Sequence, residues 1–227
     1  MKFALEGKDT QKVERLSKEI EGFGYKISEN PDIVISVGGD GSFLIAERRF
    51  PGIPKLAVRD KKSLCRLCHN EVFENAVKVL AEGRFTIKEY PKVEAVTGKK
   101  KLVAANEITV RNKDVFHAIR FNVRIAGKEY DNLIGDGIVV STAFGSTGYF
   151  FSITKKSFDG GFGLAFNNLT TKEDYITMHE PEIEMKILRN PAQVSADNDP
   201  DIIEVNKDDI ILFRRSDEVL RVISPEV

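Results

Sequence analysis

The chain has 227 residues, 41% of them hydrophobic and 30% charged, with 34 basic and 35 acidic side chains for a net charge of −1. That balance supports a globular core without disulfide staples and lacks the basic excess of a duplex nucleic-acid binder. No apolar run approaches the ~20 residues of a membrane span, the start MKFALEGKD is too short and too charged for an export signal, and two cysteines make no disulfide framework. The expectation is a cytoplasmic protein with no nucleic-acid and no membrane partner.

In chain order, Lys2–Leu5 reads as a short strand, and Val13, Leu16, Ile20 and Phe23 then recur at helical spacing. Asp32–Val37 is a β-branched run between Asn-Pro and Gly-Gly, the pattern of a buried strand in a parallel sheet. Ser42–Phe50 predicts a helix ended by Pro51, and Pro54–Val58 another strand. Val72, Phe73, Ala76, Val77, Leu80 and Ala81 form a helical stripe, with Asn70 as its N-cap and Gly83 as its stop. Repeated strand–helix units imply a parallel sheet with helices on its faces.

The pattern changes near Phe85. Ile119, Phe121, Val123 and Ile125 alternate with polar residues, as in a half-buried strand. Further strands are predicted at Lys101–Val110, Gly137–Ser141, Glu182–Leu188, Ile202–Val205 and Ile210–Arg214, with turns at Lys99–Lys101, Asp208-Asp209 and Ser216-Asp217. The fold class is therefore α/β plus all-β. Residues 1–85 form an α/β domain and 86–227 a β-rich domain, and the last ten or so residues, with the strand Val219–Ile223, are placed to pack back on the first.

Two glycine-rich segments carry the chemistry. Gly38-Gly39-Asp40-Gly41-Ser42 follows a strand and opens a helix. Backbone amides at such a bend make an anion site, and Gly38, Gly39, Gly41 and Ser42 are the candidate phosphate cradle. Asp40 is out of place beside a phosphate unless it takes a proton from an attacking hydroxyl or helps to hold Mg²⁺; the plain alternative is a tight turn with Asp40 as an N-cap. The motif is neither a Walker loop nor the dinucleotide-fold fingerprint. The second segment runs from Gly135-Asp136-Gly137 through an apolar strand into Ser141-Thr142-Ala143-Phe144-Gly145-Ser146-Thr147-Gly148-Tyr149. Its hydroxyls can cap a helix or bond a ligand's hydroxyls and phosphates. A third, weaker signal is Asn106-Glu107, a polar pair inside an apolar strand.

Together, in this order, the three segments resemble the NAD kinase family. Gly-Gly-Asp-Gly alone also marks lipid kinases and phosphofructokinases; the Ser-Thr-x-x-Gly-Ser-Thr-Gly-Tyr segment makes the resemblance specific. It implies an N-terminal Rossmann-like domain, a C-terminal β-sandwich, and transfer of a phosphoryl group from ATP or inorganic polyphosphate, with Mg²⁺, to the adenosine-ribose 2′-hydroxyl of NAD, giving NADP. By the same resemblance Asp40 is the general base and Gly41 lies against the ligand. Asn106 and Glu107 hold the adenosine, and Asp136, Thr147, Gly148, Tyr149 and Ser152 line the same site. Asp197, in Ala-Asp-Asn where the family has Asp-Gly, is a further candidate. The family implies a homodimer or homotetramer with the site near a subunit interface.

The chain departs from the family at Ala143-Phe144, where the pattern has Pro-Thr, and at 59–67, where a Gly-x-Leu-Gly-Phe segment is replaced and Arg66 stands in for an aromatic residue that stacks on the ligand. These departures motivate a second reading, a non-catalytic NAD(P) sensor; a lipid kinase is the third. The string Cys65-Arg66-Leu67-Cys68-His69 spells a haem-attachment motif, but no export signal accompanies it, and two partly buried thiols are the plainer reading.

Overall fold

A computed structural model of the chain describes residues 1–59, 79–80 and 82–225. Two compact units emerge, one of Met1–Tyr90 with Val219–Val227, the other of Pro91–Glu218. Arg66, the two cysteines and most of the stripe at 72–81 lie outside the described residues.

In the first unit the strands are β1 (Lys2–Gly7), β2 (Lys26–Ile27), β3 (Ile33–Gly38) and β4 (Lys55–Arg59), joined by the end of β16 (Ile210–Pro225). They pair in parallel in the order β2-β1-β3-β4-β16. Phe3, Leu5, Ile33, Ile35, Val37, Leu56 and Val58 face helix α1 (Thr10–Gly22), which contributes Leu16 and Ile20. Ala4 and Val34 face the opposite way, toward Ala46 and Phe50 at the end of helix α2 (Asp40–Arg49). A sheet covered on both faces needs apolar residues at successive positions, which is why β3 is a continuous β-branched run. The N-cap of α1 is Asp9, whose carboxylate accepts the Lys12 N–H at 3.0 Å. Residues 79–80 are helical, and Gly83, at φ +67°, closes that turn.

The second unit is an antiparallel β-sandwich. One sheet contains β8 (Ile119–Ile125), β9 (Lys128–Gly135), β13 (Ile183–Arg189), the start of β16, and the hairpin of β5 (Phe85–Thr97) and β6 (Lys100–Ala104). The other runs β12 (Ile176–Met178), β11 (Phe162–Asn167), β10 (Gly137–Thr142), β7 (Glu107–Asn112), β14 (Ala192–Ala196), β15 (Ile203–Val205). Ile119, Phe121, Val123, Met185 and Phe213 from the first meet Ile108, Val110, Ile138, Val140, Leu164 and Val194 from the second in one core. A short helix, α3 (Tyr149–Thr154), covers the other face of the second sheet, with Phe150 against Val139 and Ala165.

Two expected elements differ. The strand predicted at Lys101–Val110 is two strands: β6 pairs with β5 in one sheet and β7 with β10 and β14 in the other. The break at Ala105-Asn106 is where the chain changes sheets. The turn predicted at Ser216-Asp217 is absent. Strand β16 continues through it for 16 residues, with Ser216 buried and its hydroxyl accepting the Glu218 N–H at 3.2 Å. Polar residues there signal a turn only if the strand ends, and this one continues from one unit into the other. The turn around Asp208, which takes φ +71°, forms as expected, whereas the turn predicted at Lys99–Lys101 lies at Gly98-Lys99, with Lys100 and Lys101 already in β6.

Candidate active site

In the first unit, Gly38-Gly39-Asp40-Gly41-Ser42 stands at the carboxyl end of β3, where open α/β sheets bind ligands. Gly38 takes φ +141°, and a Cβ there would lie 2.5 Å from the Ser42 hydroxyl, so only glycine fits. Gly39, not Asp40, is the N-cap of α2, and its carbonyl accepts the Ser42 and Phe43 N–H groups at 3.0 and 3.2 Å. Asp40 is therefore the first helical residue. It is exposed, and its carboxylate makes no hydrogen bond with any described residue. A carboxylate there gains from the helix dipole but takes no part in capping.

The second unit gathers Asn106, Glu107, the loop 141–148 and Asp197. Register brings the first three together: β7 and β10 are antiparallel neighbours, with Glu107 opposite Ser141. The Asn106 carbonyl accepts the Thr142 N–H at 2.8 Å and the Ser141 hydroxyl at 3.3 Å, and the Thr142 hydroxyl donates to the Ala105 carbonyl at 2.6 Å. Thr142 Oγ1 in turn accepts the Gly145 N–H at 3.1 Å. Buried Ser146 donates to the Phe158 carbonyl at 2.9 Å. Three of the loop's hydroxyls thus fasten the loop itself. Thr147 and Gly148 are left at the surface.

Gly145 packs directly on the bend at Asn106. A Cβ would lie 2.3 Å from the Asn106 carbonyl oxygen and 2.5 Å from its Cα, contacts that only a backbone shift can relieve. We expect Gly145→Ala to destabilise the protein by about 1–3 kcal/mol in urea unfolding, because it displaces Asn106-Glu107.

Asp197 closes the cluster from 90 residues away. It follows β14 in a left-handed conformation, φ +48°, and its N–H donates to the Glu107 carbonyl at 3.0 Å. Its Oδ2 accepts the Ala105 N–H at 2.7 Å, and Oδ1 accepts those of Asn106 and Glu107 at 2.8 and 3.1 Å. The backbone amides that would go unpaired where the chain changes sheets are thereby satisfied. Both Asp197 oxygens are committed to the backbone, so it orients Asn106-Glu107. Burial pushes the Asp197 carboxyl up to about 6, opposed by the three amides and by Lys92. Burial, and then the Asp197 charge, push Glu107 up to about 8. Glu107 Oε2 is shut off from solvent and has no hydrogen-bond partner among the described residues.

The remaining candidates spread along the second sheet. Asp136 precedes β10, five residues from Ser141 and so about 17 Å down the strand; its carboxylate accepts the Asn168 amide at 3.1 Å. Tyr149, on α3, reaches back along the sheet, and its hydroxyl accepts the Asn167 amide at 3.2 Å. Ser152 is exposed and donates to the Tyr149 carbonyl at 2.7 Å. Reasoning from the sequence missed Ser146 and the amide-binding role of Asp197, whose partners no local pattern reveals. A shallow groove lined by Arg124, Gly127, Glu182, Glu184, Leu212 and Arg214 includes none of these residues.

Comparison with known proteins decides the family. The ATP-NAD kinase C-terminal domain matches residues 105–224, more than half of the chain and all of the second-unit cluster. The chain belongs to the NAD kinase family. It is 33% identical over 140 residues to an NAD kinase of Sulfurisphaera tokodaii, covering 60% of this chain and 54% of that protein. It is 32% identical over 218 residues to a bifunctional NADP phosphatase/NAD kinase of Methanocaldococcus jannaschii, covering 89% of this chain and 37% of that one. The chain thus spans about half or less of the length of these curated relatives. A crystal structure of an NAD kinase from Archaeoglobus fulgidus in complex with ATP superposes with a TM-score of 0.80 over 100% of this chain and 94% of that one, at 22% identity. That likeness is one of fold, α/β followed by β-sandwich, as the sequence predicts.

Proposed function

We propose that this chain is an NAD kinase, transferring a phosphoryl group from ATP or inorganic polyphosphate to the 2′-hydroxyl of the adenosine ribose of NAD. The observation that carries the reading is the convergence of Asn106-Glu107, Ser141–Gly148 and Asp197 on one bend, within the segment matched by the family's C-terminal domain. Asn106 and Glu107 hold the adenosine, with Thr147, Gly148, Tyr149 and Ser152 beside it, and Asp197 fixes their backbone. The amides around Gly38, Gly39, Gly41 and Ser42 cradle phosphate, and Gly41 lies against the ligand.

The reaction asks little covalent chemistry of the protein. The ribose oxygen attacks the terminal phosphorus, the phosphoanhydride bond breaks, and ADP or a shortened polyphosphate leaves. A ribose hydroxyl is a very weak acid, so Asp40 takes its proton only as transfer proceeds. Positioning and stabilisation of the transferred charge supply the rest of the acceleration. Among the described residues no group of three or more His, Cys, Asp or Glu side chains forms a metal cage; Mg²⁺ belongs with the donor, whose phosphate oxygens supply its usual ligands. In a homodimer or homotetramer, Asp136 of one copy can serve the site of another, which fits its distance from Ser141.

The expected result is NADP formed from NAD with Mg²⁺ and either ATP or polyphosphate, compared side by side. Binding of NAD with no NADP formed from any donor would instead select the sensor reading, which half-buried Phe144 in the loop favours.

A further inference from the structure

We propose that Glu107 meets the dinucleotide as a neutral carboxylic acid, donating a hydrogen bond to an acceptor atom of the adenosine half. The inference rests on the dinucleotide reading above and assigns the protonation state of one of its contacts. Three observations carry it. Asp197 receives three backbone N–H groups on its two oxygens, an arrangement that suits the ionised form, so the negative charge of the pair resides there. Among the described residues the Glu107 carboxyl receives none, and its Oε2 is enclosed without a partner, lying 3.5 Å from where a Cβ on Gly148 would stand. A second charge at that point would be unsolvated and repelled by the first, whereas a protonated acid carries neither cost. Glu107 as a whole is only partly buried, so its other oxygen is the one a ligand reaches.

Among the described residues the charged groups facing the pair are few. Asp197, after β14, acts directly on Glu107. Lys92, on β5, acts on Asp197 and is itself paired with Glu218 of β16 at 3.1 Å. On β10 the residue opposite Glu107 is Ser141, which does not titrate. A carboxyl raised to about 8 is protonated below that pH and loses its proton as the pH rises through it. Affinity that needs the proton is present at pH 7 and falls by about 10-fold between pH 7 and pH 9.

The test is calorimetric titration of the full chain with NAD, which has no group titrating between pH 7 and 9, in buffers of different ionisation enthalpy. The wild type is expected to weaken about 10-fold from pH 7 to 9 and to take up close to one proton on binding at pH 9. Glu107→Gln, which keeps a donor in place, should flatten the profile and abolish proton uptake; Glu107→Ala should bind more weakly at every pH. Wild-type affinity that holds constant or tightens with pH, without proton uptake, would overturn the neutral-acid assignment while leaving the dinucleotide reading intact. No NAD binding at any pH would overturn that reading and the inference with it.

Discussion

Asp40→Asn is expected to lower the rate of NADP formation by about 10²–10⁴-fold, with the protein folded as before. Two magnitudes separate the catalytic loss from a structural one. Gly39 is the N-cap of α2, and the Asp40 carboxylate bonds no described residue, so it contributes to the fold mainly through the helix dipole. That contribution is about 0.3–1 kcal/mol, whereas the rate loss corresponds to about 3–5 kcal/mol of transition-state stabilisation. The loss should fall on kcat, with the KM for NAD little changed, because asparagine keeps the shape of the side chain and lacks only its basicity. Steady-state kinetics beside a thermal melt would check it. If Asp40→Asn retained activity within a few-fold, the proton would have to leave by another route.

The parts of the fold that local pattern dictates were legible in the sequence. β3 is a β-branched run because both of its faces are covered, and β8 alternates because one face meets the core. What could not be read was long-range. A strand that passes from one sheet to another looks like one long strand, so the break between β6 and β7 was invisible, although it is what turns Asn106-Glu107 out of the core. Strand β5 carries Pro91 and a row of charges, and its pairing with β6 and β16 prevails over that unpromising composition. The same holds at the site. Gly-Gly-Asp-Gly and the Ser-Thr loop are local and stand out, whereas Asp197 acts on amides 90 residues away and looks like any turn aspartate. Most hydroxyls of the loop, which suggest ligand contacts, instead donate to backbone carbonyls of neighbouring segments, Thr142 to Ala105 and Ser146 to Phe158.

Lys55 illustrates a residue with a large effect and no sequence signal. It lies in β4, between Val34 of β3 and Val222 of β16, and is 0% exposed. Its ammonium donates to the carbonyls of Phe50 and Ile53, each at 2.7 Å, and lies 2.5 Å from a carboxylate oxygen of Glu47. Glu47, in the last turn of α2, also accepts the Gly52 N–H at 3.3 Å. The end of the helix is thereby tied to the sheet from within. Arg49, half exposed, ties the same end through buried Glu6 at 2.7 Å. Lys55→Met takes the ammonium away from buried Glu47 and removes one donor each from the Phe50 and Ile53 carbonyls, and is expected to cost about 3–5 kcal/mol in urea unfolding. The double variant Lys55→Met/Glu47→Leu should recover much of that loss, because it removes both charges together; losses that simply added would show that the two residues do not act as a pair. Asp40 begins the helix that this pair anchors. At temperatures where Lys55→Met stays folded, kcat should therefore fall, by up to about 10²-fold for a misplacement near 1 Å, while the affinity for NAD changes less. A kcat equal to that of the wild type under those conditions would confine Lys55 to stability alone.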